Sequence, residues 1–220
     1  KHEEWRAPHL YILDGDIDHA YDYTRHQLVI SALDRRAVPR PITAAWIRTW
    51  RKMQSVFKVS PSCKTRAIAR TRGLMQGDPA APGIFNVCLD DPATEFLTLA
   101  KTKGWGLKID NERKELLSMI LFADICWLMA TTPTMLQEMA HAWATILKKV
   151  HLDYKRTEAS WCTTAPDDLQ CKVTDENGKV LTRKLRGTGF LDSGLSGAVQ
   201  QQVRTGEPTG KARLGGLMVS

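Results

Sequence analysis

Residues 116–130, which read LLSMILFADICWLMA, give the clearest indication of how the chain folds. Two apolar runs flank one carboxylate, Asp124, and short apolar runs bounded by a break are typical of buried strands. We predict an antiparallel hairpin with Asp124 at its tip, because the chain must reverse between the two runs. A buried carboxylate needs a metal, a cationic partner or water, whereas an aspartate exposed in a tight turn needs none. Both interpretations of Asp124 are open from this stretch alone.

A second predicted strand, residues 9–17 (HLYILDGDI), ends in carboxylates. Side chains alternate along a strand, so three carboxylates are expected on one side. They are Asp14, Asp16 and Asp18. Neighbouring carboxylates repel one another unless a cation neutralises them, and Mg²⁺ prefers oxygen ligands of this kind. The alternative is an acidic turn in which Asp22 or Thr24 caps a helix.

A glycine-rich loop, residues 72–78 (RGLMQGD), precedes a predicted helix. Its two glycines allow a ligand to approach the backbone closely, and the N-terminus of the following helix favours anions. Arg72 adds positive charge to the same segment. The alternative is an ordinary glycine-rich loop that is capped by Asp78.

The remaining sequence alternates between helix and strand patterns. Helical periodicity begins near Thr24, Pro41, Pro79 and Thr132, and the third of these helices continues through or kinks at Pro92. Further strands are predicted at residues 56–59, 67–69 and 105–109. Strands mixed with helices, without a regular βαβ repeat, are typical of an α+β fold with an antiparallel sheet and packed helices.

Three segments are expected along the chain. Residues 1–165 carry the patterns described above, and residues 166–184 contain a hairpin signal around Asp175–Gly178. Residues 185–220 hold eight of the fifteen glycines and show no sustained periodicity, so we expect a loose tail.

The charge is concentrated in one stretch of the sequence. No acidic residue occurs from Arg35 to Gly77, whereas the same stretch contains eleven basic residues. The whole chain has a net charge of +7, so the remainder carries −4. A basic block in a mildly acidic chain points to a polyanionic partner, nucleic acid above all. A solvated helix face is the alternative.

Length and composition exclude several classes of protein. The 220 residues fit one domain with an appendage, and 43% hydrophobic with 25% charged residues is ordinary for a globular chain. The longest apolar run has 15 residues and contains Asp124, so no membrane span is expected, and no signal peptide is recognisable. Five cysteines without a CxxC pair indicate reduced, intracellular thiols rather than a zinc ribbon.

In this order and spacing, the three patches resemble motifs of reverse transcriptases, most closely those of non-LTR (LINE-like) retrotransposons. Residues 16–22 (DIDHAYD) match the first motif, Asp-x-x-x-Ala-aromatic-Asp, and residues 72–79 (RGLMQGDP) match the second and most specific one. Residues 122–125 (FADI) stand where the family has aromatic-Ala-Asp-Asp, and residues 151–158 (HLDYKRTE) resemble the next motif. The resemblance covers residues 5–165 and implies a palm-like fold.

This resemblance implies a set of functional residues. Two Mg²⁺ ions would be held by Asp16 and Asp124, one activating the primer 3′-hydroxyl and one holding the triphosphate. The residues expected at the nucleotide are Tyr21, Gln76, Gly77 and Arg156. The residues expected to bind nucleic acid are Lys64, Arg66, Arg70 and Arg72. The implied partners are an RNA template, a DNA primer and deoxynucleoside triphosphates.

Two departures from the family pattern weigh against activity. Ile125 replaces the second aspartate of the aromatic-Ala-Asp-Asp motif, and isoleucine cannot ligate a metal. No fingers segment is recognisable before the first motif. We therefore expect the palm to be inactive alone. The alternative interpretation is a non-catalytic nucleic-acid-binding remnant that uses residues 35–72.

Overall fold

The computed structural model describes residues 9–61, 63–75, 77–108, 115–155, 159–165, 172–175 and 177–183. Within these ranges the helices are α1 (Ala20–Tyr23), α2 (His26–Arg35), α3 (Arg40–Lys52), α4 (Ala81–Lys103) and α5 (Pro133–Lys149). The first strands are β1 (Tyr11–Asp16), β2 (Gln54–Ser55), β3 (Lys58–Ser60), β4 (Cys63–Lys64) and β5 (Ile68–Ala69). The later strands are β6 (Leu107–Lys108), β7 (Leu116–Leu117), β8 (Met119–Phe122), β9 (Ile125–Ala130), β10 (Ser160–Thr163) and β11 (Thr182–Arg183).

A five-stranded sheet with the order β11-β10-β1-β9-β8 forms the centre of the fold. All neighbouring pairs are antiparallel except β10 and β11, which run parallel. The predicted α+β fold with an antiparallel sheet and packed helices is confirmed. The predicted hairpin around Asp124 is also confirmed, because Phe122 pairs with Ile125 and only two residues connect β8 to β9.

The sheet packs its buried face against α5, and α4 packs against α5. On β1, Tyr11 and Leu13 are buried, whereas the alternate residues are half-buried. Helix α5 packs Trp143 against Phe96 of α4, with ring centroids 5.6 Å apart, and both side chains are fully buried. Burying large aromatic side chains in this way supplies much of the free energy of folding.

Proline does not interrupt α4, although the sequence left a kink possible. The helix runs unbroken for 23 residues, and Pro92 is buried inside it. The predicted strand 116–122 is instead divided in two. Ser118 lies between β7, which pairs with β6, and β8, which pairs with β9.

Residues 40–69, which we name the basic arm, contain α3 and two small ribbons. Strands β3 and β4 pair at the tip, and β2 pairs with β5 behind them. The strands predicted at residues 56–59 and 67–69 overlap β3 and β5, but each of these pairs with another short strand rather than with the other. Large apolar side chains in residues 54–69 are exposed: Val56, Phe57 and Ile68.

The last described residues pack onto the same core. The backbone of Thr174 is held at both its N–H and its carbonyl by the amide of Gln137, at 2.6 Å each. Val173 and Leu181 are buried, and β11 extends the sheet. The predicted loose tail, residues 185–220, lies outside the described residues, as do residues 166–171 of the predicted hairpin segment. Among the described helices, none combines the length and apolar composition needed to cross a bilayer.

Candidate active site

The structure brings Asp16 and Asp124 to the same end of the sheet. Asp16 is the last residue of β1, and Asp124 lies in the turn between β8 and β9. The N–H of Ile17 donates to the carbonyl of Asp124 at 2.9 Å, so the two chain segments are in direct contact. We name this region, Asp16 with Asp124 and Ile125, the carboxylate end.

Ile125 directly faces Asp16 across the strand pair. Residues opposite each other on neighbouring strands place their side chains on the same face. The position that carries the second aspartate in the family motif therefore lies beside Asp16, and here it is filled by an aliphatic side chain.

The turn that carries Asp124 has an unusual backbone. Ala123 has a φ of 52°, in the left-handed region that residues other than glycine rarely adopt. Such conformations cost of order 1–3 kcal/mol and persist where the surrounding structure imposes them. Here the pairing of Phe122 with Ile125 fixes both ends of the two-residue connection.

Only two of the three predicted strand carboxylates share a face. Asp14 and Asp16 occupy the half-buried face of β1, whereas β1 ends before Asp18, which lies in the following turn. The prediction was wrong for Asp18 for that reason. Asp14 accepts a hydrogen bond from the indole N–H of Trp127 at 2.9 Å, a contact that sequence reasoning missed.

The capping alternative for this acidic segment is also wrong. Asp22 lies inside α1, and Thr24 follows it, donating its hydroxyl to the carbonyl of Ala20 at 2.7 Å. Arg25 is the N-cap of α2, and it makes no side-chain cap bond. The acidic residues of the first motif therefore do not serve to begin a helix.

Lys155 contacts the carboxylate end through Asp16, and sequence reasoning missed it. Its N–H donates to the carbonyl of Asp16 at 2.8 Å, and its Nζ lies 4.0 Å from Oδ2 of Asp16. The neighbouring Tyr154 pairs with Ile17 in an isolated bridge. The sequence indicated Lys155 only through its position next to Arg156, and Arg156 was the residue predicted to contact the nucleotide.

Tyr21 lies close to Asp124. Burial and, to a lesser extent, the negative charge of Asp124 raise the pKa of the Tyr21 hydroxyl. The ring packs against Phe85 of α4 with centroids 5.1 Å apart. The Tyr21 carbonyl accepts from the N–H of Leu74 at 2.8 Å, which joins the first motif to the glycine-rich loop.

The glycine-rich loop docks on the first motif through Gly73. Gly73 has a φ of 93°, and a Cβ there would lie 2.9 Å from the carbonyl oxygen of Asp22. The Gly73 carbonyl also lies 3.1 Å from Nε2 of the buried His26. Glycine is thus required here for close backbone approach.

Of the other three predicted nucleotide-contacting residues, the structure describes one. Gly77 is exposed with a φ of 87°, and Gln76 and Arg156 lie outside the described residues. Asp78 accepts from the N–H of Ala80 at 2.9 Å in a local turn. The N-cap of α4 is Ala80, without a side-chain cap bond, so the alternative in which Asp78 caps the segment is wrong.

The four residues predicted to bind nucleic acid fall into two kinds. Lys64 and Arg66 are exposed on the basic arm. Arg70 donates to Asp22 at 3.2 Å, and the guanidinium of Arg72 lies 4.5 Å from the centre of the Tyr23 ring. The latter two therefore also hold the glycine-rich loop on the first motif.

The donor set at the carboxylate end is suited to a hard cation. Within the described ranges, no group of three or more His, Cys, Asp or Glu side chains could hold a metal. Two carboxylates remain, on Asp16 and Asp124. Mg²⁺ commonly uses one or two carboxylates and completes its octahedron with water and substrate phosphates. These residues therefore fit a divalent ion, although the site has one carboxylate fewer than the aromatic-Ala-Asp-Asp motif supplies.

Comparison with protein families gives one match over most of the chain. The model described as reverse transcriptase (RNA-dependent DNA polymerase) matches residues 3–175. Two similar curated proteins are both retrovirus-related Pol polyproteins from type-1 retrotransposable element R2. The protein of Popillia japonica is 28% identical over 113 residues, 51% of this chain and 15% of the relative. That of Nasonia vitripennis is 26% identical over 173 residues, 79% of this chain and 16% of the relative.

The chain therefore spans about a sixth of the length of these relatives. Among solved structures, the chain resembles apo telomerase from Candida tropicalis truncated from the C-terminal domain. The TM-score is 0.53 at 14% identity, covering 73% of this chain and 32% of the telomerase chain. At this identity the likeness concerns the fold alone, and it agrees with a palm-like arrangement.

Proposed function

The chain belongs to the reverse transcriptase family, as a domain of the non-LTR retrotransposon type, and on this premise we propose that it is the palm of an RNA-directed DNA polymerase with a degenerate metal site. The reaction of such a palm is template-directed nucleotidyl transfer assisted by two metal ions. Its partners are an RNA template, a DNA primer and deoxynucleoside triphosphates.

The observation that carries this proposal is the meeting of Asp16 and Asp124. They are 108 positions apart in the sequence, yet the N–H of Ile17 donates to the carbonyl of Asp124. Divalent ions bound there, Mg²⁺ in the first place, supply charge neutralisation and Lewis-acid activation. Asp16 and Asp124 would hold the ions, and the antiparallel pairing of β1 with β9 places Asp16 opposite Ile125, the residue after Asp124.

Other residues of the chain serve the nucleotide in this proposal. Tyr21 forms a wall beside Asp124 and, held by Phe85 and Leu74, limits the space at the sugar of the incoming nucleotide. Gln76 and Gly77 belong to the loop beside the templating base pair, and Arg156 contacts the pyrophosphate. These four roles come from the family motifs.

Ile125 makes the site degenerate. A carboxylate at this position would face Asp16 and share its cation, whereas isoleucine leaves the positive charge of the ions less neutralised. Loss of one charge partner in a transition state commonly costs about 10²–10³ in rate. The same substitution favours a second candidate function, a non-catalytic nucleic-acid-binding remnant that uses residues 35–72.

Metal binding tests the site without requiring turnover. Mn²⁺ binding, followed by electron paramagnetic resonance, should weaken in both Asp16→Asn and Asp124→Asn. Glu95→Gln is the matched control, since Glu95 pairs with Lys149 between α4 and α5. Equal Mn²⁺ affinity in all four proteins would contradict a metal site at the carboxylate end.

Primer extension tests whether the metal site is degenerate. The unaltered chain should give no measurable extension of a DNA primer on an RNA template with Mg²⁺. Robust extension that Asp16→Ala abolishes would show that two carboxylates suffice and would contradict the degenerate site. RNA binding without Mn²⁺ binding would favour the non-catalytic remnant.

A further inference from the structure

The structure sorts the basic residues between 35 and 72 by what they contact. Arg35 and Arg36 form ion pairs with Asp91 and Asp90, which connect α2 to α4. Arg70 and Arg72, as described above, hold the glycine-rich loop. These arginines already have electrostatic or aromatic partners within the fold, so each contributes less to attracting an outside anion.

Arg48 and Arg51 are different. Both are exposed on α3, and within the part of the chain that the structure describes no carboxylate pairs with either of them. They are three positions apart, so they project from the same side of the helix. Arg40, two turns earlier, lies on that side too, with its Nε 3.9 Å from Asp34.

These arginines border a groove between α2 and α3. The groove has a volume of about 460 Å³. It is lined by Ile30, Asp34, Arg40, Thr43, Ala44, Ile47, Arg48 and Arg51. Three guanidinium groups against one carboxylate leave a formal charge of +2, above a floor that is mostly aliphatic.

We propose that this groove binds the sugar–phosphate backbone of a single RNA strand, with Arg48 and Arg51 contacting successive phosphates. The inference rests on the proposed function, because it takes RNA as the strand that a reverse transcriptase copies. It adds a binding site that shares no lining residue with the carboxylate end, on residues that the family motifs do not include.

The size and chemistry of the groove favour a single strand. Its volume lies in the range of small-ligand pockets, about 300–1,000 Å³, so it admits a short stretch of one strand rather than a duplex. Guanidinium groups match phosphate oxygens in a bidentate way. Ile30, Ala44 and Ile47 offer an apolar surface to the carbon atoms of the sugars.

An acidic protein segment is the competing occupant. It would satisfy the same three arginines, but it would not be expected from a chain whose family copies RNA. Binding to polyglutamate, measured directly, therefore separates the two occupants.

The test is the salt dependence of RNA binding by the whole chain, measured by fluorescence anisotropy with labelled oligo(U). In the double variant Arg48→Gln/Arg51→Gln, the slope of log K against log[salt] should become less steep by about 1.4. Each phosphate contact on a single strand contributes about 0.7 to that slope. Arg48→Lys/Arg51→Lys should retain most of the slope, because the charges remain.

The matched control is Arg35→Gln/Arg36→Gln, which removes the same two charges from arginines that are already paired. Its slope should stay close to that of the unaltered chain, and thermal denaturation verifies that all variants fold. Equal loss in both double variants would show that binding follows net charge alone and would overturn the groove.

Two further arms identify the strand. Oligo(dT) should show the same loss in Arg48→Gln/Arg51→Gln, because the phosphates are shared, whereas a loss confined to DNA would overturn the RNA assignment. Polyglutamate that binds more tightly than oligo(U) and depends on the same arginines would assign the groove to an acidic protein. Absence of any RNA binding at low salt would overturn both the groove and the proposed RNA template, while Mn²⁺ binding at Asp16 would still test the metal site separately.

Discussion

Apolar side chains are buried beside the carboxylate end but exposed on the two ribbons of the basic arm. Next to Asp16 and Asp124, the strands bury Leu13 and Leu128 almost completely, and helices cover that face of the sheet. On the basic arm, Phe57 is 61% exposed and Ile68 is 52% exposed, with lysines and arginines beside them. The apolar face of the sheet is covered by other parts of the chain, whereas the ribbons of the arm present apolar and cationic groups to solvent.

This difference indicates which interactions stabilise the conformation of each region. Packing of many buried side chains fixes the carboxylates, since close-packed interiors tolerate few alternative arrangements. On the arm, α3 buries Ile47 and Trp50, but the two ribbons, residues 54–69, expose their large apolar side chains. Exposed apolar groups rimmed by charge mark interaction surfaces. Substitutions should therefore affect stability at the sheet and binding at the two ribbons of the arm.

Aromatic truncation gives the largest expected contrast. Trp143→Ala removes a fully buried side chain behind the sheet and should lower the free energy of unfolding by about 3–5 kcal/mol. Phe57→Ala should change it by no more than about 0.5 kcal/mol, as is usual for surface positions. Urea denaturation measures both, and a comparable loss in Phe57→Ala would show that the arm is packed after all.

Gly15 on β1 has no room for a side chain, and its substitution should give the next largest loss of stability. A Cβ on Gly15 would overlap the ring of Tyr154, whose neighbour Lys155 pairs with Asp16. Gly15→Ala should therefore cost about 1–3 kcal/mol, the usual range for overpacking. Gly83→Ala in α4 is the control, because a Cβ there meets nothing within 4 Å and alanine favours a helix by about 0.5–1 kcal/mol.

A carboxylate at position 125 tests whether this position lies beside the bound metal ion. Ile125→Asp places a third carboxylate opposite Asp16 and should tighten Mn²⁺ binding about tenfold, equivalent to about 1.4 kcal/mol. In metal-free solution the same variant should be less stable than the unaltered chain, because the carboxylates then repel. Unchanged Mn²⁺ affinity would show that residue 125 does not face the ion.

Lys155 should oppose metal binding more weakly. Its ammonium group lies 4.0 Å from Asp16, and both side chains are about one-third exposed, so the interaction is modest. Lys155→Gln should tighten Mn²⁺ binding about threefold, within the range of exposed ion pairs. Lys149→Gln, which removes the partner of Glu95, should have no effect, and equal tightening in both variants would exclude a local role for Lys155.

The smallest expected effect concerns the Tyr21 hydroxyl. In the metal-free protein, Asp124→Asn should lower the Tyr21 pKa, since the carboxylate charge contributes to raising it. The pKa should stay above the ordinary value of a tyrosine, because burial is the larger cause and remains. The difference in phenolate absorbance between this variant and its Tyr21→Phe derivative measures the shift. A Tyr21 pKa that does not change would place the hydroxyl away from Asp124.

Much of the fold could be predicted because its signals are local. The apolar runs around Asp124 indicated a hairpin, and the spacing of Ala20, Tyr21 and Asp22 after Asp16 indicated the family before any contact was known. Errors arose where strand ends depend on the partner strand. The sequence placed Asp18 on the strand, yet β1 ends at Asp16, where its pairing with β9 ends.

Local patterns were enough to predict the two carboxylate-bearing strands, the missing second aspartate at Ile125 and the excess of positive charge between residues 35 and 72. Which of these charges lack a partner within the fold depended on contacts between distant parts of the chain. Arg70 meets Asp22 across 48 positions, and Lys155 meets Asp16 across a longer separation still. Hydrophobic periodicity acts through neighbours along the chain, whereas an ion pair forms only after the fold has brought distant groups within a few ångströms.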